Sequence, residues 1–174
     1  MKARFISFLL IGTISIIGLG ADVSSSQAST TNPYGGTAIK PPAPTETILT
    51  VTNGTGVKKY SMNVLTKMKL SEIKIFEPFV KVNQTFTAIP LSALFAASGI
   101  VGKASVKTIA LNDYIYTNTA KSFIAANGYL AIARTGKPIP YDQGGPIRII
   151  FPNSSIWAKN LDPWNWSLKA ISVK

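Results

Sequence analysis

The side chains that could do chemistry in this chain are few, and the shortage decides a good deal. Among 174 residues there is no cysteine and no histidine. That excludes disulfides, thiolate nucleophiles, Cys/His zinc centres and any Ser-His-Asp triad, and it removes histidine as a general base or pH switch. Of seven carboxylates, only Glu72 and Glu77 lie close together, on a β-prone stretch interrupted by Pro78. No loop has calcium-site spacing, so no metal is expected. The inventory leans away from an enzyme and toward binding.

The binding chemistry is concentrated in three places. An apolar run from Val106 to Leu111 ends in Asn112 and Asp113, and the aromatics Tyr114 and Tyr116 follow at once. A carboxylate in apolar surroundings needs strong donors, from an arginine, backbone amides or a ligand. The same Asn-Asp pair also turns a chain readily, because both side chains bond their own backbone. Gly144-Gly145-Pro146 lets backbone approach a ligand closely and presents amide donors. Arg148 sits in an otherwise apolar strand, with Ile150 on its face and Ile147, Ile149 and Phe151 on the other. It needs a carboxylate or a ligand, and Asp113 and Asp142 are the candidates. Trp164 and Trp166 are two apart and share a strand face, as do Tyr114 and Tyr116. Such pairs either stack on a planar heterocycle or pack a core. Ser71-Glu72-Ile73-Lys74 matches Ser-x-x-Lys, but the companion Ser-x-Asn and Lys-Thr-Gly elements of that chemistry are missing.

These residues must be positioned by a folded domain. Hydrophobic residues make up 46% of the chain and charged ones 14%, which separates it from disordered sequences. The net charge of +11 comes from 15 lysines and 3 arginines. The lysines are scattered, with Lys58-Lys59 the one adjacent pair, so no nucleic-acid footprint is expected. Residues 1–28 read as a secretory signal: Lys2 and Arg4, an apolar stretch over 5–19, then Ser26-Gln27-Ala28. The expected location is therefore secreted or periplasmic, with an uncleaved anchor as the rival. Residues 29–45 form a Ser/Thr/Gly/Pro-rich tether, and the domain proper is expected over 46–174. Within it, strands are expected over 48–52, 57–61, 105–111, 129–134, 147–151 and 164–173, with a hairpin turn at Asn53-Gly54. A helix is expected from Pro90 to Ser98, burying Leu91, Leu94 and Phe95, with a shorter one over 119–126. Strands with few short helices indicate an α+β domain with a mixed, largely antiparallel sheet.

The order and spacing of several segments resemble the molybdopterin-binding domain of the sulfite oxidase superfamily. The segments are Phe86 to Leu91, Leu94 to Gly99, Ala110-Leu111-Asn112-Asp113-Tyr114, Gly136 to Pro138, Gly144-Gly145-Pro146 with Ile149 to Pro152, and Trp166 to Val173. More closely, the chain is similar to small secreted relatives described as pterin-binding or oxidoreductase-like. The resemblance implies a sulfite oxidase-like fold and a pterin as ligand. It places Asn112, Asp113 and Tyr114 at the pocket, with Gly144, Gly145 and the closing tryptophans nearby. A carboxylate would suit the pterin's amino-pyrimidinone edge, with its two adjacent N–H donors. In the catalytic branch a cysteine holds molybdenum, and this chain has none. The implied role is thus a non-catalytic sensor acting on the periplasmic domain of a membrane protein that controls cyclic-di-GMP. The alternatives are a molybdopterin oxidoreductase with a non-cysteine metal site, or an interaction module with a vestigial pocket. The chain departs from the relatives at Gln143 and Ser167, where they usually carry a charged residue and a glutamine.

Overall fold

A computed structural model describes residues 40–54 and 56–173. The expected signal over 1–28 and most of the expected tether lie outside these residues. In chain order the elements are β1 (Thr47–Asn53), β2 (Gly56–Ser61), α1 (Met62–Leu65), β3 (Ser71–Glu77), β4 (Val82–Pro90), α2 (Leu91–Ala97), β5 (Ser105–Ala110), β6 (Ile115–Thr119), α3 (Ala120–Ala125), β7 (Tyr129–Arg134), β8 (Arg148–Ile150) and β9 (Leu168–Val173). A 3-10 turn covers Tyr141–Gln143.

Two sheets result, ordered β2-β1-β9-β5-β6 and β3-β4-β7-β8. The pairing of β1 with β9 is parallel and every other pairing is antiparallel. This is the α+β, largely antiparallel architecture expected from the sequence. Among the described residues no helix is long and apolar enough to cross a membrane.

Period-two alternation explains the core. In β5, Val106, Thr108 and Ala110 point inward, whereas in β9 the buried Leu168 and Ile171 are three apart, because the β5–β9 register shifts between Ile109 and Ala110. These residues join Phe86, Ile75, Leu130 and Ile149 of the second sheet in the buried interior. Helix α2 buries Leu91, Leu94 and Phe95, the face its periodicity predicts. Its terminal carbonyls are held by the β1–β2 hairpin: Asn53 Nδ2 donates to Gly99 O at 2.7 Å, and Lys58 donates to Ala97 O. This satisfies groups that a helix end otherwise leaves bare. Trp157, from the loop after β8, fills the gap between elements, with rings of Tyr116, Phe123 and Phe151 edge-on to it at 5.9, 5.4 and 5.3 Å.

Two local readings are corrected. The stretch before Pro78 is β3, an edge strand as a nearby proline argues, but Pro78 does not interrupt it. It lies in the turn of the β3–β4 hairpin, whose register closes at Glu77↔Val82. The last strand begins at Leu168 rather than Trp164. Trp164 N bonds Leu161 O and Asn165 N bonds Pro163 O, so this stretch is spent on turns before the strand starts.

Candidate functional site

Three backbone segments are stitched side by side at one end of the sheets. Leu111 N donates to Ser167 O at 2.8 Å, and Ser167 N donates to Gly144 O at 2.8 Å. Leu168 N donates to Ile147 O and Ile149 N to Asn165 O, each at 3.0 Å. These bonds align the β5–β6 turn, the 3-10 turn and the approach to β9. Between them lies a cleft of ≈340 Å3, bounded by Phe79, Asn112, Tyr141, Asp142, Gly144 and Trp166. A second hollow of ≈280 Å3 shares Phe79, Asn112 and Trp166 and adds Tyr114, Leu161 and Trp164. Volumes of this order suit a small heterocycle rather than a polymer.

The floor rests on a buried charge. Arg148 is 0% exposed, and its guanidinium carbon lies 4.6 Å from the Trp166 ring centroid. Its Nη2 donates to Glu77 Oε1 at 2.7 Å, and Glu77 is also 0% exposed. The other Glu77 oxygen accepts from Phe79 N at 2.9 Å and Val80 N at 2.7 Å. That fixes the hairpin turn carrying Phe79, whose ring meets Trp166 edge-on at 4.7 Å. One carboxylate therefore ties the floor of the cleft to its wall. Arg148 pairs with Glu77, while Asp113 pairs with Lys169. The signal was available: Ile73, Ile75 and Glu77 share one strand face, and a carboxylate on a core face demands a cation.

Asp113 stands elsewhere than its apolar context suggested. It sits at a turn with φ 64°, its side chain is 81% exposed, and it pairs with Lys169 Nζ at 2.5 Å. The turn reading of Asn112-Asp113 is the one realised, since Tyr114 N donates to Asn112 Oδ1 at 3.2 Å. Asn112 nevertheless lines both hollows. The tyrosines diverge because Tyr114 precedes β6 and escapes its alternation. Tyr114 borders the second hollow and donates to Asp162 O at 2.9 Å, whereas Tyr116 packs edge-on to Phe123 and Trp157. Burial raises the Tyr114 phenol above its ordinary pKa, and the charge of Asp162 and nearby Tyr116 add to this. The tryptophans also part: Trp164 is buried with Nε1 on Trp157 O at 2.9 Å, while Trp166 floors the cleft.

The two glycines have different tasks. A Cβ on Gly144 (φ 83°) would stand 3.2 Å from Arg148 Nη1 and 3.3 Å from Trp166 Cβ, so its bareness shapes the cleft. A Cβ on Gly145 would stand 1.9 Å from Ile139 O, which is a packing demand. Residues that sequence reasoning missed are Glu77, Phe79 and Tyr141. For Tyr141 the phenol is again raised by burial, with Glu46 adding. Its position between two turns carries no periodic signal.

No protein-family model matches the chain, and no curated protein matches it in sequence. Among solved structures, a chain of the sulfane dehydrogenase SoxCD from Paracoccus pantotrophus superposes with a TM-score of 0.56 at 13% identity. The fold is sulfite oxidase-like. The match covers 87% of this chain but 49% of the SoxCD chain, so this protein spans about half the length of that neighbour. At such identity the likeness is one of fold.

Proposed function

We propose that this protein is a non-catalytic binder of a pterin-type heterocycle, held in the cleft floored by Trp166. The observation that supports the reading is a flat aromatic floor beside a polar edge: Trp166, Asp142 and Asn112 border the same cleft. A pterin has a π face for the indole and an amino-pyrimidinone edge with adjacent N–H donors. A carboxylate accepts both donors, and an amide can meet the neighbouring carbonyl. The Arg148 guanidinium, 4.6 Å from the indole centroid, withdraws electron density from the ring, which suits an electron-rich reduced heterocycle against it. In this reading Asp142 takes the recognition role first expected of Asp113. The family's thiolate-held metal does not fit this chain, which has no cysteine. Among the described residues no three His, Cys, Asp or Glu side chains converge. Secretion, and action on the periplasmic part of a membrane signalling protein, belong to the same proposal.

The test is anaerobic titration with tetrahydrobiopterin, and with oxidised biopterin, followed by tryptophan fluorescence and melting temperature. Quenching with a raised melting temperature is expected. Asp142→Asn should weaken binding about tenfold to a hundredfold, the value of a charge-assisted bond, while Asp113→Asn leaves it unchanged. No response to either pterin would refute the pocket, and stoichiometric molybdenum in protein from its native compartment would refute the non-catalytic reading.

A further inference from the structure

The second sheet ends in an edge that has a surface of its own, sharing no lining residue with the cleft above. We propose that the β3 edge docks an extended peptide segment of a partner protein, an apolar anchor flanked by carboxylates, added as a further strand. Strand β3 is paired on one side, to β4, with an unbroken register from Ser71↔Ala88 to Glu77↔Val82. Its other side faces away from the sheet. Phe76 N donates to Asn153 Oδ1 at 2.7 Å rather than to β4. By alternation, the amides of Glu72 and Lys74 point the same way. Asn153 therefore supplies the kind of acceptor a neighbouring strand's carbonyl would supply. Natural sheets blunt such edges with bulges, proline or charged side chains; β3 has no bulge or proline, and its charged residues are the oppositely charged Glu72 and Lys74.

Beside this edge lies a depression of ≈380 Å3 lined by Phe76, Pro78, Lys81, Asn153, Ala158 and Lys159. Phe76 is 48% exposed, giving an apolar wall for an inserted side chain. Both charged residues lining the depression are lysines, on a chain of net charge +11. An anionic occupant is therefore selected, and the outward backbone groups favour a peptide over a lipid. Backbone bonds would give affinity, the depression would take one apolar side chain, and the lysines would select flanking carboxylates. The inference does not depend on pterin binding.

The experiment titrates isotope-labelled protein with a blocked peptide, Asp-Val-Glu-Phe-Glu-Val-Asp, and with its amide counterpart, Asn-Val-Gln-Phe-Gln-Val-Asn. Amide resonances report the site, and circular dichroism reports the fold. The acidic peptide should bind about fivefold to tenfold more tightly than the neutral one, with shifts confined to β3 and residues 153–159. The double variant Lys81→Asn/Lys159→Glu should lose that preference; asparagine is chosen because residue 81 has φ 56°. Asn153→Ala should strengthen binding about threefold to tenfold, because the Phe76 amide no longer gives up a partner. A gain of this kind cannot come from misfolding. Methylating alternate peptide nitrogens should abolish binding. The proposal is overturned if neither peptide binds, if the two bind equally, or if methylation has no effect. Binding of phosphatidylglycerol vesicles through these residues in place of the peptide would likewise overturn it.

Discussion

Glu77→Gln tests the centre of the structural account. The substitution keeps the side-chain volume and removes the charge that Glu77 sets against the fully buried Arg148 guanidinium. It also sets a donor against donors. One Glu77 oxygen serves Arg148 while the other accepts from Phe79 N and Val80 N. A glutamine has a single acceptor oxygen, so it can face the guanidinium or the turn amides but not both. Removing one member of a buried pair costs about 3–5 kcal/mol, a large part of the ~5–15 kcal/mol that holds an ordinary domain together. For a domain of this size that corresponds to a fall of about 10–20 °C in melting temperature. Arg148→Met should cost less, since the carboxylate keeps its two turn amides. The two changes should couple by at least ~2 kcal/mol in a double-mutant cycle. Urea unfolding followed by far-UV circular dichroism measures all three variants. A Glu77→Gln variant within ~1 kcal/mol of the parent, or strict additivity, would refute the reasoning.

Other consequences can be checked with the same assays. Gly145→Ala forces a methyl group to within 1.9 Å of Ile139 O; it should cost about 3 kcal/mol or more and give little soluble protein. Thr119→Ala removes the cap whose Oγ1 accepts from Ser122 N at 3.1 Å, so α3 should lose about 1 kcal/mol, read as a lower urea midpoint. The Tyr114 phenol is raised in the folded state, chiefly by burial and then by Asp162. Between the unfolded and folded pKa values the folded state holds more protons, so this contribution is complete below pH ~10 and is lost as pH rises through the folded value. Tyr114→Phe should therefore flatten the alkaline fall in melting temperature relative to the parent, and an unchanged slope would contradict the assignment.

Most strands were legible because alternation survives single substitutions, whereas β4 and β6 were not among those expected. Strand β7 begins and ends where the sequence placed it, at Tyr129 and Arg134, and Thr119 marks the start of α3 as expected. The site was legible only in part, for a physical reason. Asn112 was found because it ends an apolar run, Gly144 as part of a Gly-Gly-Pro turn, and Trp166 as one of two tryptophans two apart. Their grouping depends on backbone bonds between Leu111, Ser167 and Gly144, which have no one-dimensional signature. Asp113 misled because an apolar neighbourhood in sequence is not burial in space: a turn at φ 64° puts its side chain in water. Strand spacing failed for Trp164 and Trp166 for the converse reason, since the stretch that holds them is not a strand. Glu77 was hidden by Pro78, which drew attention to chain breaking rather than to the face on which the carboxylate falls.

A buried ion pair is a poor way to stabilise the interior of a sheet, because apolar side chains of similar size usually do as well. The pair here reaches from β8 to the end of β3, and each end touches the cleft: Arg148 lies against Trp166, and Glu77 holds the turn of Phe79. If the pair serves the cleft, stability and binding should separate when both members are replaced. Glu77→Leu/Arg148→Met should unfold within ~2 kcal/mol of the parent, yet bind tetrahydrobiopterin at least about tenfold more weakly, as the turn loses its anchor and the indole its cation. The variant would then fold around a cleft whose wall is no longer fixed to its floor. Wild-type affinity in a folded double variant would assign the pair to the fold alone, and recognition would then rest on Asp142, Asn112 and the Trp166 ring without the charge beneath it.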